Sequence, residues 1–187
     1  MTKPAPVLKY PGSKWNLAQW IISHMPSHTV YLEPFFGSGA VFFNKQPSKV
    51  ETINDIDGNV VNLFRVIRER PEELVALVEM TPWARDEYYA SYEKTGDAME
   101  DARRFLVRCW QAFGTRTYSK TGWRFDTTGG INMPDKWARF PAEIIRSRLQ
   151  QWGRKEQRAQ AEKGQTRTEV LWINHVAAAA NHSLFGR

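Results

Sequence analysis

Residues 31–45 read YLEPFFGSGAVFFNK, and no other stretch constrains the fold of this chain as tightly. An apolar run meets Glu33-Pro34, a Gly-Ser-Gly turn follows at 37–39, and a second apolar run begins at once. That order predicts a strand over 29–32 turning tightly into a helix over 40–44. Glycines let the backbone turn sharply and let a ligand approach it closely.

The pattern then recurs. Residues 50–53 predict a second short strand, ended by the Asn-Asp-Ile-Asp-Gly run at 54–58. A helix is expected over 59–69, and Pro71 opens another, with Glu72 and Glu73 in its first turn. Ahead of the first strand, Ser13 is placed to cap a helix over 14–24 whose apolar face holds Trp15, Leu17, Ala18, Ile21 and Ile22. Strand and helix in alternation predict an α/β fold with a parallel sheet. The middle differs. Helices are expected over 82–93 and 99–113, then a long irregular basic loop over 114–141, where Gly, Thr, Asn and Pro are dense. Pro141 begins a helix to residue 150, residues 151–165 read as a weak helix or linker, and 168–174 (TEVLWIN) read as a strand. A chain of 187 residues suffices for one core, or a core with a small lobe.

Charge is unevenly spread. Residues 51–100 hold five basic and twelve acidic side chains, a net −7, whereas 101–160 hold thirteen and five, a net +8. The basic block also carries Trp110, Phe113, Tyr118, Trp123, Phe125, Trp137, Phe140 and Trp152. Cations interleaved with aromatics suit phosphates and bases, although a solvated helical face over core aromatics has the same composition. Cys109, the single cysteine, sits in the apolar pattern FLVRCWQAF and is expected to be a buried small residue in a reducing compartment. No stretch reaches the roughly 20 apolar residues of a membrane span. No metal site is expected.

A glycine turn at a helix N-terminus offers backbone N–H groups and a positive dipole end to a nucleotide-like ligand. The dinucleotide fingerprint G-x-G-x-x-G fails, because Phe42 stands at the third glycine position. A G-K-[ST] phosphate loop is also absent. An adenosine ligand without a pyrophosphate remains, with S-adenosylmethionine the leading candidate. Asp55 follows the second strand, sixteen residues after Gly39, where a carboxylate can accept both ribose hydroxyls or, equally, cap the Asn-Asp-Ile-Asp-Gly turn.

Three segments taken together are specific: LKYPGSKWNLAQWI at 8–21, YLEPFFGSGAVFFN at 31–44 and INDIDGNVVNLFRVI at 53–67. In order and spacing they resemble the Dam-type DNA adenine-N6 methyltransferases. Residues 110–113 (WQAF), 129–149 (GGINMPDKWARFPAEIIRSRL) and 167–174 (RTEVLWIN) are similar to later parts of that family. The resemblance implies a reduced Rossmann-like methyltransferase sheet with an inserted helical DNA-recognition lobe. Its divisions would be 1–58 for cofactor, 59–150 for DNA and 151–187 as linker and terminal strand. It implies S-adenosylmethionine as methyl donor and double-stranded DNA as partner. Tyr10 would pack by the cofactor and Lys14 would meet its carboxylate end. Glu33, Phe35, Gly37 and Gly39 would line the pocket, and Asp55 would take the ribose. Arg116, Lys120, Arg124, Lys136 and Arg139 are the expected DNA contacts. The setting would be the cytoplasm, from a bacterial or phage gene.

One departure bears on catalysis. The family's chemistry uses Asp, Asn or Ser, then Pro-Pro, then an aromatic residue. The exocyclic amine of adenine is a weak nucleophile, and this motif accepts its hydrogens while stacking the flipped base. The chain has no Pro-Pro dipeptide, so no catalytic residue is assigned. It reads as an internally truncated member, with the first strand left with an unpaired edge. Three readings stay open: half of a split methyltransferase completed by a partner chain, an inactive remnant binding DNA or S-adenosylmethionine, and a subunit that associates through the open edge.

Overall fold

The computed structural model describes residues 6–114, 119–125, 137 and 142–146, and the backbone of 169–173. Its elements run α1 (Ala18–Ser23), β1 (Val30–Glu33), α2 (Ala40–Asn44), β2 (Val50–Asp55), α3 (Gly58–Glu69), α4 (Pro71–Glu79), α5 (Arg85–Ala90), α6 (Ala98–Gln111) and β3 (Glu169–Ile173). The three strands form one parallel sheet in the order β1-β2-β3, with Val30 opposite Val50 and Glu51 opposite Glu169. The expected mixed α/β class with a small parallel sheet is therefore present.

Side-chain alternation explains how the sheet packs. On β2, Glu51, Ile53 and Asp55 are buried while their neighbours are only half-buried. On β1, Tyr31 is buried, whereas Val30 and Leu32 are 62% and 59% exposed. Among the described residues β1 has one strand neighbour, β2.

The long helices begin where the sequence supplies a cap. Asp57 accepts the Asn59 N–H (2.9 Å) at the start of α3, and Asp97 accepts the Glu100 N–H (2.7 Å) at the start of α6. Both helices bury an apolar stripe, including Leu63, Phe64 and Ile67 on α3 and Ala102, Phe105 and Leu106 on α6. Arg103 of α6 reaches Glu87 on α5 and Thr81 Oγ1 (2.9 Å). Its hydrogen bonds to Glu100 chiefly hold that carboxyl down at about 2. The buried apolar residues make one continuous cluster that joins the sheet, α2, α3, α4 and α6. Trp110 ties the far end of α6 to the chain's start, donating from Nε1 to the Val7 carbonyl (3.0 Å).

Three elements are shorter than the sequence predicts. The helix expected over 14–24 begins only at Ala18, because Gly12 takes φ +68° and the Ser13 N–H closes a turn on the Tyr10 carbonyl (3.2 Å). Ser13 is not its cap: its Oγ bonds Ser38 Oγ (2.8 Å) instead. The helix expected from residue 82 starts at Arg85, since Trp83 turns away to donate from Nε1 to the Arg124 carbonyl (3.1 Å). The helix expected to reach residue 113 ends at Gln111, where Ala112 leaves to bridge Trp123. Cys109 is buried as expected, and burial pushes its thiol pKa up. Within 114–141, Trp137 is buried and donates from Nε1 to the Thr81 carbonyl (2.6 Å). Residues 142–146 are helical, matching that part of the expected 141–150 helix. The 151–165 segment lies outside the described residues. No helix among the described residues is long and apolar enough to cross a membrane.

Candidate functional site

The turn after β1 is built by carboxylates. Glu33, the last residue of β1, accepts with Oε2 from the Phe42 N–H (3.1 Å) and the Tyr31 hydroxyl (2.8 Å). It thus places negative charge at the start of α2, where the helix N–H groups lack partners of their own. The Phe36 N–H donates to the Asn54 carbonyl (2.9 Å), carrying the turn across to the end of β2. There Asp55 accepts the Gly37 N–H at Oδ2 (2.6 Å) and the Asp57 N–H at Oδ1 (2.9 Å). With Asn54 Nδ2 donating to the Pro34 carbonyl (3.1 Å), two side chains and a backbone bond hold the turn onto the C-terminal end of β2.

Both glycines are required where they stand. Gly37 has φ +50°, and a Cβ there would come within 3.3 Å of the Tyr10 ring. Gly39 has φ +66°, and a Cβ there would lie 2.6 Å from Phe36 Cζ and Phe43 Cε2. Phe36 packs edge-on against Phe42 and Phe64, and Phe43 edge-on against Phe42, so neither ring has much room to retreat. Gly39→Ala is expected to cost about 2 kcal/mol or more, from the left-handed backbone and the ring collision together. Urea unfolding of the variant measures it, and an unchanged midpoint would show that the rings yield.

A pocket of about 320 Å³ opens over this turn, at the ends of β1 and β2. Small-molecule sites commonly span roughly 300–1,000 Å³. Six of the seven residues expected at a cofactor site line it: Tyr10, Lys14, Glu33, Phe35, Gly37 and Asp55. Gly39 is not among the lining residues; it packs against the phenylalanines behind the turn. Sequence reasoning passed over Ile56 in the wall, although it directly follows Asp55. It also passed over the Ser13–Ser38 contact that fastens the 10–14 loop to the glycine turn.

The lining combines carboxylates, a lysine, aromatic rings and an aliphatic side chain. Asp55 presents a carboxylate whose pKa is raised, first by burial and against the lowering hydrogen bonds from Gly37 and Asp57. Each of its oxygens keeps a second lone pair for a hydroxyl donor. Phe35 is 81% exposed at the lip and, with Tyr10 and Ile56, gives the wall its ring and aliphatic surface. Lys14 is exposed and precedes α1 rather than opening it. Among the described residues there is no cluster of three or more His, Cys, Asp or Glu able to hold a metal.

Of the expected DNA contacts, Lys120 and Arg124 are described; Arg116, Lys136 and Arg139 lie outside the described residues. Lys120 Nζ stands 5.1 Å from the Tyr89 ring centre. The Arg124 N–H donates to the Gln111 carbonyl (2.8 Å), so both residues belong to a short segment docked against α5 and the end of α6.

Residues 10–171 match the model of the D12 class N6 adenine-specific DNA methyltransferases. The chain is 27% identical over 141 residues to a DNA adenine methylase of Vibrio cholerae serotype O1, covering 72% of this chain and 48% of that protein. It is 28% identical over 140 residues to the DNA adenine methylase of Escherichia coli strain K12, with the same coverage of 72% and 48%. A type II methyltransferase of Lactococcus lactis subsp. cremoris, M1.LlaDCHI, is 36% identical over 74 residues, 39% of this chain and 26% of that protein. The chain thus spans about half, or less, of the length of these curated relatives.

Proposed function

The chain belongs to the D12 class N6 adenine-specific DNA methyltransferase family, and from that premise we propose that it is the cofactor- and DNA-binding part of a DNA adenine-N6 methyltransferase. The observation carrying this reading is the pocket, where the three segments singled out in the sequence converge on one cavity. S-adenosylmethionine bound there would supply an electrophilic methyl group. Asp55 would accept the ribose hydroxyls, Lys14 would pair with the carboxylate, and Tyr10, Phe35 and Ile56 would hold the purine. Glu33 and Gly39 would act one step back, fixing α2 and the turn. Lys120 and Arg124, with Arg116, Lys136 and Arg139, would face DNA phosphates or base edges. Residues 59–150 would form the DNA-recognition part and 151–187 would return the chain to the sheet.

Methyl transfer asks for more than this pocket. The adenine amine must be stacked and must have its hydrogens accepted, and these 187 residues contain no Pro-Pro dipeptide to do so. A second polypeptide segment bearing that motif would complete the site. The outer edge of β1, with Val30 and Leu32 exposed beside it, would receive that segment's strand. The purified chain is therefore expected to bind S-adenosylmethionine in a calorimeter yet transfer no labelled methyl to mixed-sequence duplex DNA. A Lys14→Ala, Asp55→Ala double variant should lose the binding. Transfer by the chain alone would refute the need for a second segment; absence of binding would refute the cofactor reading.

A further inference from the structure

Two distant segments wall the pocket: residues 10–14, and the turn after β1 together with the end of β2. The turn is tightly held. Ser38 sits between Gly37 and Gly39, both in the left-handed region. The Gly37 N–H is bound to Asp55 Oδ2 (2.6 Å) and the Gly39 N–H to the Phe36 carbonyl (2.8 Å). Ser38 is itself buried, so its hydroxyl is a fixed post that needs a partner.

The 10–14 segment is held mainly at its ends. Trp110 Nε1 donates to the Val7 carbonyl (3.0 Å), the Tyr10 ring stands 3.3 Å from where a Gly37 Cβ would be, and Trp15 is buried in the core. Between these supports Gly12 takes φ +68°, and a Cβ there would meet nothing within 4 Å, so the glycine serves the backbone angle. Among the described residues, one hydrogen bond joins 11–14 to the opposite wall: Ser13 Oγ to Ser38 Oγ, 2.8 Å, across 25 residues of sequence. Lys14 follows directly and is exposed in the pocket lining. A lysine is a point charge on a long flexible stem, so the backbone that carries it decides where the charge can dwell. On the far side the Lys14 carbonyl accepts the Leu17 N–H (2.9 Å). On the pocket side its nearest fixed point is the Ser13 hydroxyl.

We propose that Ser13 and Ser38 are positioning residues, a hydroxyl clasp that holds residues 12–14 against the glycine turn and keeps the Lys14 ammonium over the pocket, where it retains the anionic tail of a nucleoside ligand. This rests on the S-adenosylmethionine reading above and adds to it two residues that act through Lys14. Tyr10 has its own support on Gly37 and Val7, so the purine side of the pocket does not depend on the clasp.

The test compares calorimetric affinities of the full chain for S-adenosylmethionine and for adenosine, which has the purine and ribose but no charged tail. Ser13→Ala is expected to weaken S-adenosylmethionine binding by about five- to tenfold, the scale of one hydrogen bond lost with a buried hydroxyl left unpaired, and to leave adenosine affinity unchanged. Ser13→Thr keeps the hydroxyl and should retain the native affinity. Ser13→Ala, Ser38→Ala should bind no more weakly than Ser13→Ala alone, because a single bond is removed. In a Lys14→Ala background, Ser13→Ala should change affinity by less than about twofold. A bond that merely braces the fold would lower the urea midpoint and leave the ratio of the two affinities as it was, which overturns the clasp. So does an unchanged S-adenosylmethionine affinity in Ser13→Ala, or a full loss from Ser13→Ala in the Lys14→Ala background, which would mean that Ser13 touches the ligand itself. Each of these leaves the cofactor reading standing. No binding of S-adenosylmethionine by the native chain removes that reading and the clasp with it.

Discussion

Lys45→Ala is expected to lower the unfolding free energy by about 3–5 kcal/mol, the usual cost of removing one partner from a buried ion pair. The Lys45 and Glu51 side chains are 2% and 0% exposed. Lys45 Nζ donates to Glu51 Oε1 (2.5 Å), Ser48 Oγ (2.9 Å) and the Gln46 carbonyl (2.8 Å), and stands 4.3 Å from the Tyr31 ring centre. The Ser48 N–H donates to the same carboxylate oxygen (2.9 Å). Alanine removes the cation and leaves a carboxylate charge in a site with little water to solvate it. The pair joins the end of α2 to β2, so the loss also loosens the unit that carries the glycine turn. Urea unfolding measures the effect, and high salt should not rescue it, because buried pairs are screened far less than exposed ones. A Lys45→Met, Glu51→Leu double variant should recover most of the stability, since an apolar pair of similar volume needs no solvation. A single-variant loss below about 1 kcal/mol would place the pair in the class of surface ion pairs and contradict its burial.

That pair illustrates what sequence reasoning could and could not reach. Periodicity and punctuation were enough for α3, where Asp57 caps and Pro71 follows, and for the parallel strands on either side of the glycine turn. They were enough because these signals act within one turn of the chain. Contacts across sequence were not legible. Nothing in the sequence marks Lys45 and Glu51 as partners; only the packing of α2 against β2 buries them together. Ser13 reads as a helix cap until the 10–14 loop is laid against Ser38, a partner 25 residues away that local signals cannot name. Glu33 and Asp55 were found as pocket residues, but their backbone bonds to Phe42 and Gly37 appear only in three dimensions. Gly39 shows the same limit from the other side. The G-S-G spacing marks a close approach, and the neighbour that approaches is a pair of phenylalanine rings.

Asp55→Asn separates the turn-holding role that the geometry shows from the ribose contact proposed for the same carboxylate. Oδ2 accepts the Gly37 N–H and Oδ1 accepts the Asp57 N–H, so both oxygens must be acceptors. An amide has one oxygen, and its NH2 would face a backbone N–H at hydrogen-bonding range, which repels. One of the two turns must therefore release, at roughly 1–3 kcal/mol for a buried donor left without an acceptor. The ribose contact would weaken at the same time. Hydrogen bonds to a charged group contribute about 1.5–3 kcal/mol, or about ten- to 150-fold in affinity for S-adenosylmethionine. Lys14→Ala supplies the contrast: its side chain is exposed, so affinity should fall with the unfolding midpoint unchanged. Acidification should mimic the Asp55 change. Burial raises this carboxyl's pKa, so on lowering the pH it gains its proton sooner than an exposed aspartate would. Cofactor affinity should then fall as the carboxylate disappears, and the Asp55→Asn variant should lose that pH dependence. If Asp55→Asn lowers stability but leaves affinity unchanged, the residue is a strut for the glycine turn and the ribose must be held elsewhere. If affinity falls and stability does not, the hydrogen bonds to Gly37 and Asp57 contribute little to the fold, and the carboxylate serves the ligand alone.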